Sequence, residues 1–322
     1  VEGSYAAIAL IAGYGLVAFR DPFGIRPLVL GKRFSEAKNK YEWMVASESL
    51  VLENNDFKIV RDVEPGEAIF ISSDFEFYSF QCSDSPKLFP CSFEYVYLAR
   101  PDSVMNGISV YEARLRMGNL LAETIKKQIP LGDIDVVMPI PDSSRPAAMQ
   151  VAKKLGIEYR EGFYKNRYVG RTFIMPGQAL RKKSVRQKLN AMSTEFYGKN
   201  ILIVDDSIVR GTTSKQIVQM ARDSGANKVI FTSAAPPIRH AHVYGINMPS
   251  RKELIAYNRS IVQIEEKLCI DKMVYQDVEN LKKSIIHKSN VEELDLSCFT
   301  GKYITGNITN EYLNWVEKEY LS

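Results

Sequence analysis

The chain has 322 residues, 45% of them hydrophobic and 25% charged, with a net charge of +4. That balance belongs to a folded globular protein and excludes a disordered one, and so mild a charge gives no argument for nucleic acid. The length favours two domains. Cys82, Cys91, Cys269 and Cys298 show no CxxC spacing, so neither a disulfide framework nor a zinc site is suggested, and a reducing cytoplasm fits.

The apolar run from Tyr5 to Phe19 lacks a basic leader, follows Glu2, holds two glycines and is too short to span a bilayer. It reads as buried strands of a soluble protein with no membrane partner. Residues 1 to about 90 continue in that style. Strands are expected at Ala6–Leu10, Leu16–Phe19, Pro27–Leu30, Trp43–Ser47, Ile59–Val60 and Ala68–Ser72, with turns at Arg20–Gly24 and Glu64–Gly66. The segment offers few catalytic groups and no complete site.

Cys91 to Asp102 reads as a strand and connector. Ser109–Gln128 has Val110, Met117, Leu120, Leu121 and Ile125 on one helical face. Ile134–Met138 is an apolar strand, and Asp142, Ser143 and Ser144 lead into a helix from Arg145 to Leu155 closed by Gly156. Asp142 and Ser144 read equally well as a plain helix N-cap or as part of a site.

From Arg160 to Lys188 nine basic residues stand against one acid, Glu161, with no sustained apolar period. So long an irregular segment in a compact domain is functional or disordered. A nucleic-acid-binding arm and a lid over a polyanion are both open.

Ile201–Val204 is a short buried strand by its β-branched run. It ends on two adjacent carboxylates, Asp205 and Asp206, followed by a turn with Gly211, the hydroxyls of Thr212, Thr213 and Ser214, and an amphipathic helix from Lys215 closed by Gly225. Strand, acidic pair, turn and helix N-terminus make a ligand site at the edge of an open α/β sheet. The turn amides and helix dipole suit a phosphate, while the carboxylates suit vicinal hydroxyls or a magnesium ion. The bland alternative is an acidic pair at a solvated strand end. Beyond it, Lys228–Ser233 is a strand, Arg251–Leu268, Val278–Ile286 and Asn310–Tyr320 are helical, and Ser297–Thr305 is strand-like. His240, His242 and His287 lack ligand spacing and read as surface residues.

Val204–Ser214, VDDSIVRGTTS, resembles the phosphoribosyl-pyrophosphate (PRPP) signature of the type I phosphoribosyltransferases. The run KNRYVGRTFIMPGQ from Lys165 resembles the glutamine-dependent amidophosphoribosyltransferases, which open purine synthesis, and the similarity extends over nearly the whole chain. The resemblance implies an α/β phosphoribosyltransferase domain with an open, mostly parallel sheet and C-terminal helices over residues 91–322. Before it, GLVAFRDPFGIRPLVLGKR from Gly15 resembles the β-rich second half of an N-terminal-nucleophile glutaminase (α+β) domain, assigned to residues 1–90. That family's nucleophile is an N-terminal cysteine, whereas this chain starts at Val1. The expectation is a fragment or truncated form without glutaminase chemistry.

The implied reaction is displacement of pyrophosphate from PRPP by ammonia, giving 5-phosphoribosylamine. The ammonia comes from glutamine in the family and from free ammonia for this chain. PRPP is assigned to Asp205, Asp206, Ser207, Ile208, Val209, Arg210, Gly211, Thr212 and Thr213, and Mg²⁺ to Ser143, Asp205 and Asp206. Arg171, Phe173 and Tyr168 are assigned to lid contacts, and Phe173 with Tyr97 to an ammonia passage. The resemblance also implies purine nucleotides as inhibitors and a homo-oligomer. Asn247 stands where the family usually has an aspartate, which removes a charge next to the lid. Some members hold an iron–sulfur cluster through cysteines, one matching Cys91. His242 stands where a second would fall, and Glu292 and Asp295 precede Cys298, so no cluster is expected and Cys91 reads as a buried small hydrophobe. Competing readings are a non-catalytic PRPP-binding regulatory module and an inactive truncated chain.

Overall fold

A computed structural model describes residues 2–166, 189–248 and 250–321. Packing divides the chain into two compact units: Val1–Ala113 with Ala241–Ser250 and Ile285–Ser322, and Arg114–His240 with Arg251–Ser284. The division expected at residue 90 lies inside the first of these.

The first unit holds strands β1 (Ala6–Ile11), β2 (Gly15–Arg20), β3 (Val29–Ser35) and β4 (Lys40–Ala46), the short helix α1 (Ser49–Glu53), and strands β5 (Lys58–Asp62), β6 (Glu67–Ser72) and β7 (Phe77–Gln81). They form two antiparallel sheets, β1-β2-β6-β7 and β4-β3-β5. A core of Ala18, Leu28, Leu30, Val63 and Ile69 joins them, with Trp43 and Phe77 packed against it. Six of the seven strands overlap the expected ones, β7 was not expected, and β1 is not buried: Leu10 is 81% exposed and Ile8 47%. An edge strand pairs on one side alone, and its alternation does not say whether anything covers its faces.

The Arg20–Gly24 turn is held by two buried charges. The Asp21 carboxylate accepts from the amides of Phe23 and Ile25, and the Arg20 guanidinium donates to the carbonyls of Gly24, Arg26 and Val63. Buried charges are tolerated when every lobe is hydrogen-bonded in this way. Cys91 is buried as expected, but it makes an isolated bridge rather than a strand, and Glu94–Leu98 winds as a π-helical turn. The apolar spacing there cannot distinguish a strand from a buried helical turn.

The second unit begins within helix α2 (Val110–Gln128). It continues through β8 (Val136–Pro139), α3 (Arg145–Leu155), β9 (Glu158–Tyr159), β10 (Phe163–Lys165), β11 (Leu189–Ala191), α4 (Ser193–Phe196), β12 (Asn200–Asp205), α5 (Thr212–Asp223), β13 (Lys228–Ser233), α6 (Ile261–Leu268), β14 (Lys272–Tyr275) and α7 (Val278–Ile286). Five strands make one parallel sheet in the order β9-β8-β12-β13-β14. This is the open, doubly wound arrangement expected from the repeated strand–loop–helix units. α2 crosses α3 with so little space that a Cβ on Gly118 would lie 2.3 Å from the Ala147 carbonyl oxygen. Only glycine permits that approach, which fixes α3 and the loop before it.

Three further expectations are corrected. The segment expected as one helix from Arg251 is a 3-10 turn, Arg251–Glu253, and a separate α6 whose N-cap Ser260 forms a capping box with Gln263. Ser297–Thr300 is a one-turn helix, α8, not a strand-like tail. His242 is buried, with 2% exposure, while His287 is exposed. In the first unit α9 (Asn310–Leu321) closes the chain as expected. No described helix is long and apolar enough to cross a membrane.

Candidate functional site

The strand order reverses between β8 and β12, which are adjacent in the sheet while their following connections diverge. In open α/β sheets the crevice at such a reversal, at the carboxyl ends of the strands, is where ligands bind. Ile201 to Val204 are fully buried, so β12 is fixed on both faces and delivers Asp205 and Asp206 to that edge.

The Asp206 amide donates to Asp205 Oδ1 at 2.9 Å, and the Ser207 hydroxyl donates to Asp206 Oδ1 at 3.0 Å. The Ser143 hydroxyl, from the loop after β8, acts on the same Asp206 carboxyl. Burial pushes both carboxyls above the ordinary range, and for Asp205 the charge of Asp206 adds to it. The hydroxyls of Ser143 and Ser207 and the Arg114 guanidinium pull Asp206 partly back. A half-buried carboxylate, Asp205, beside a buried one, Asp206, leaves the pair short of positive charge, a deficit that a cation or hydroxyl donors would fill.

After the pair, Ser207–Gly211 turns into α5. The Ile208 side chain is buried, leaving its backbone for any ligand. The Val209 carbonyl accepts from Ile255 N at 2.9 Å, and Arg210 Nε donates to Glu253 at 2.8 Å. Gly211 has φ +74, and a Cβ there would lie 2.3 Å from Ile255 Cδ1. Helix α5 begins at Thr212, three residues earlier than expected, so Thr212 and Thr213 occupy its first turn, both exposed. Unbonded N–H groups in that turn and the positive end of the dipole make an anion seat.

Neither Asp142 nor Ser144 caps α3. The Ser144 hydroxyl donates to Ile140 O at 2.6 Å, and Asp142 accepts from Arg145 and from Lys165, each at 2.6 Å. Burial pushes the Asp142 carboxyl up, but Lys165 and Arg145 outweigh it and hold it below the usual range. Arg145 also donates to Glu161, which accepts from the Tyr159 hydroxyl.

The fold therefore brings together Ser143, Asp205, Asp206 and Ser207, with the turn to Thr213 beside them. Tyr168, Arg171 and Phe173 lie outside the described residues, and with them the lid and its passage. Tyr97 and Asn247 belong to the first unit. Sequence reasoning missed Arg114. Its signal was a basic residue, now 3% exposed, among the apolar positions of α2.

Residues 111–245 match the phosphoribosyl transferase domain family. The amidophosphoribosyltransferase of Pseudomonas aeruginosa is 55% identical over 317 residues, which is 98% of this chain and 63% of that protein. The enzymes of the same name from Escherichia coli and Saccharomyces cerevisiae are 52% and 50% identical, over 98% and 99% of the chain and 63% and 62% of the relatives. A solved structure of glutamine PRPP amidotransferase from Bacillus subtilis, complexed with ADP and GMP, superposes with a TM-score of 0.82 at 39% identity, covering 96% of this chain and 65% of that one. The chain thus spans about 63% of the length of its curated relatives. On this likeness and on a parallel sheet carrying the acidic pair at its order reversal, the chain belongs to the amidophosphoribosyltransferase family.

Proposed function

We propose that this chain carries out the phosphoribosyl-transfer step of an amidophosphoribosyltransferase, the first committed step of purine synthesis: ammonia displaces pyrophosphate at C1 of PRPP and gives 5-phosphoribosylamine. The observation that carries this reading is the Asp205–Asp206 pair at the carboxyl end of β12, followed at once by Gly211 and the N-terminus of α5. That sequence of groups matches a ligand with a diol next to a phosphate.

In this reading Asp205 and Asp206 accept from the ribose hydroxyls. The amides from Ser207 to Gly211 and the hydroxyls of Thr212 and Thr213 hold the 5-phosphate. Ammonia is already a competent nucleophile, so the protein's task is to orient the ribose and to stabilise departing negative charge. Mg²⁺ fits the donor set of two carboxylates pushed up by burial and the Ser143 hydroxyl, all hard oxygen groups. When bound it supplies charge to neutralise the leaving pyrophosphate. Arg171, Phe173 and Tyr168 are proposed for closure over the site. Purine nucleotides, which share a ribose and phosphate with PRPP, are proposed as inhibitors, and a homo-oligomer as the working form. The non-catalytic alternative is not favoured, since the relatives carry the name of an activity.

The test is release of pyrophosphate from PRPP with Mg²⁺, with ammonium or glutamine as nitrogen source at alkaline pH. Turnover is expected with ammonium. Asp205→Asn and Asp206→Asn should each lower it by about 10²-fold or more, the usual loss for a preorganised electrostatic contact. Unchanged turnover in both variants overturns the assignment.

A further inference from the structure

Within the first unit, three side chains from distant parts of the chain meet in a closed space. Cys91, His242 and Asp295 are 1%, 2% and 1% exposed, and their ligand atoms all lie within 4.8 Å of one another. Cys91 Sγ is 3.5 Å from His242 Nε2, and that nitrogen is 3.4 Å from Asp295 Oδ2.

The backbone holds them there. Cys91 and Asp295 form a parallel bridge, flanked by Asp295 N to Pro90 O at 3.0 Å and the Ser92 hydroxyl to Asp295 O at 2.7 Å. His242 pairs with Met248 across a second bridge, and the Tyr244 ring packs edge-on against its imidazole at 5.9 Å. Asp295 Oδ1 accepts from the Ser297 amide at 3.0 Å, whereas Oδ2, buried and turned toward Cys91 and His242, has no hydrogen-bond donor among the described residues. A buried carboxylate oxygen in that state costs stability unless something positive meets it.

We propose that Cys91, His242 and Asp295 form a mononuclear site for a tetrahedral divalent ion of the zinc type. Bond lengths of ~2.3 Å to sulfur and ~2.0 Å to nitrogen or oxygen place two ligands of one tetrahedral zinc about 3.3–3.6 Å apart. The measured 3.5 and 3.4 Å fall in that interval. One soft thiolate, one imidazole and one carboxylate suit zinc better than magnesium or calcium, which take all-oxygen shells. An iron–sulfur cluster does not fit: it needs thiolates at its corners, and two of these three donors are nitrogen and oxygen.

Cys298 is buried on the one-turn helix α8 that follows Asp295, so the fourth position falls to its thiolate or to water. Binding displaces the thiol proton of Cys91. It also displaces the proton from His242 Nε2, because Nδ1 now accepts from the Tyr244 amide, a long contact at 3.3 Å. The ring proton then moves to Nδ1 and that contact is given up, so uptake carries a small local displacement of Tyr244.

The sequence showed no zinc spacing because the donors stand 151 and 53 residues apart and meet through the fold alone. The experiment uses the tag-free full chain. Zinc is measured in the purified protein, and the chelator-treated protein is then titrated with Co²⁺. A stoichiometric ion and a near-ultraviolet thiolate-to-cobalt absorption are expected. Cys91→Ser should abolish that band. Asp295→Asn should weaken cobalt affinity by more than the roughly 10- to 100-fold that loss of a supporting outer partner costs. Cys298→Ser identifies the fourth ligand by lowering the band or leaving it intact. Circular dichroism and gel filtration establish that each variant is folded. Folded wild-type chain without zinc and without a cobalt–thiolate band at micromolar metal overturns the proposal and leaves a hydrogen-bonded core cluster.

Discussion

The Ser143 hydroxyl holds the Asp206 carboxyl down against its burial, linking the loop after β8 to the end of β12 across the reversal of strand order. The contact ties together two segments more than sixty residues apart in sequence at the place where a ligand would enter. A hydrogen bond to a charged group is worth about 1.5–3 kcal/mol. Ser143→Ala should therefore weaken binding of PRPP with Mg²⁺ by roughly 10- to 100-fold, while Ser143→Thr retains most of it. Calorimetric titration of PRPP reads the change directly. An affinity in the alanine variant equal to wild type removes Ser143 from the site.

The acidic pair and its turn were legible because each piece is local: a β-branched run, two carboxylates, a glycine and a series of hydroxyls. The pairing of β8 with β12 was not, since parallel neighbours are set by long-range packing and leave no local mark. Arg114 was hidden for a similar reason. One basic residue in an amphipathic helix reads as solvent-facing until the fold shows it 3% exposed near Asp206. His242 is the converse case, an isolated polar residue outside any periodic pattern, whose burial depends on the bridge to Met248. The one-turn helix at Ser297–Thr300 is shorter than the window over which a helical period can be recognised. The capping box of α6 is legible in Ser260 and Gln263 and marks the true helix start within the stretch expected as one helix from Arg251.

Gly211 carries two constraints at once, a left-handed backbone and a space closed by Ile255. An L-residue at that φ costs about 1–3 kcal/mol, and the Ile255 side chain, itself in the core, must move to admit a methyl group. Gly211→Ala should lower the unfolding free energy by about 2 kcal/mol. It should also weaken PRPP binding by shifting the amides before α5. Denaturant unfolding and PRPP titration on the same sample separate the two effects. A variant as stable as wild type would mean that the turn relaxes without strain.

Glu67 supplies a pH-dependent contribution away from the site. It is 3% exposed and accepts from both terminal nitrogens of Arg61 at 2.6 and 2.7 Å, from the Ser79 hydroxyl and from the Glu64 amide at 2.7 Å. Burial alone would push its carboxyl up, but these donors outweigh burial and hold it below its ordinary 4.5. The folded chain thus binds fewer protons than the unfolded one as this group titrates. Its stabilisation is complete above about 4.5 and is lost as pH falls through the depressed folded value. The Arg61 side chain is 34% exposed, so solvent screens part of the pair. Glu67→Gln is expected to cost about 2 kcal/mol at neutral pH, with the gap from wild type closing in strongly acidic buffer. Urea unfolding of both proteins at neutral and acidic pH measures that gap. A gap of equal size at both would assign the role of Glu67 to its shape and hydrogen bonds rather than its charge.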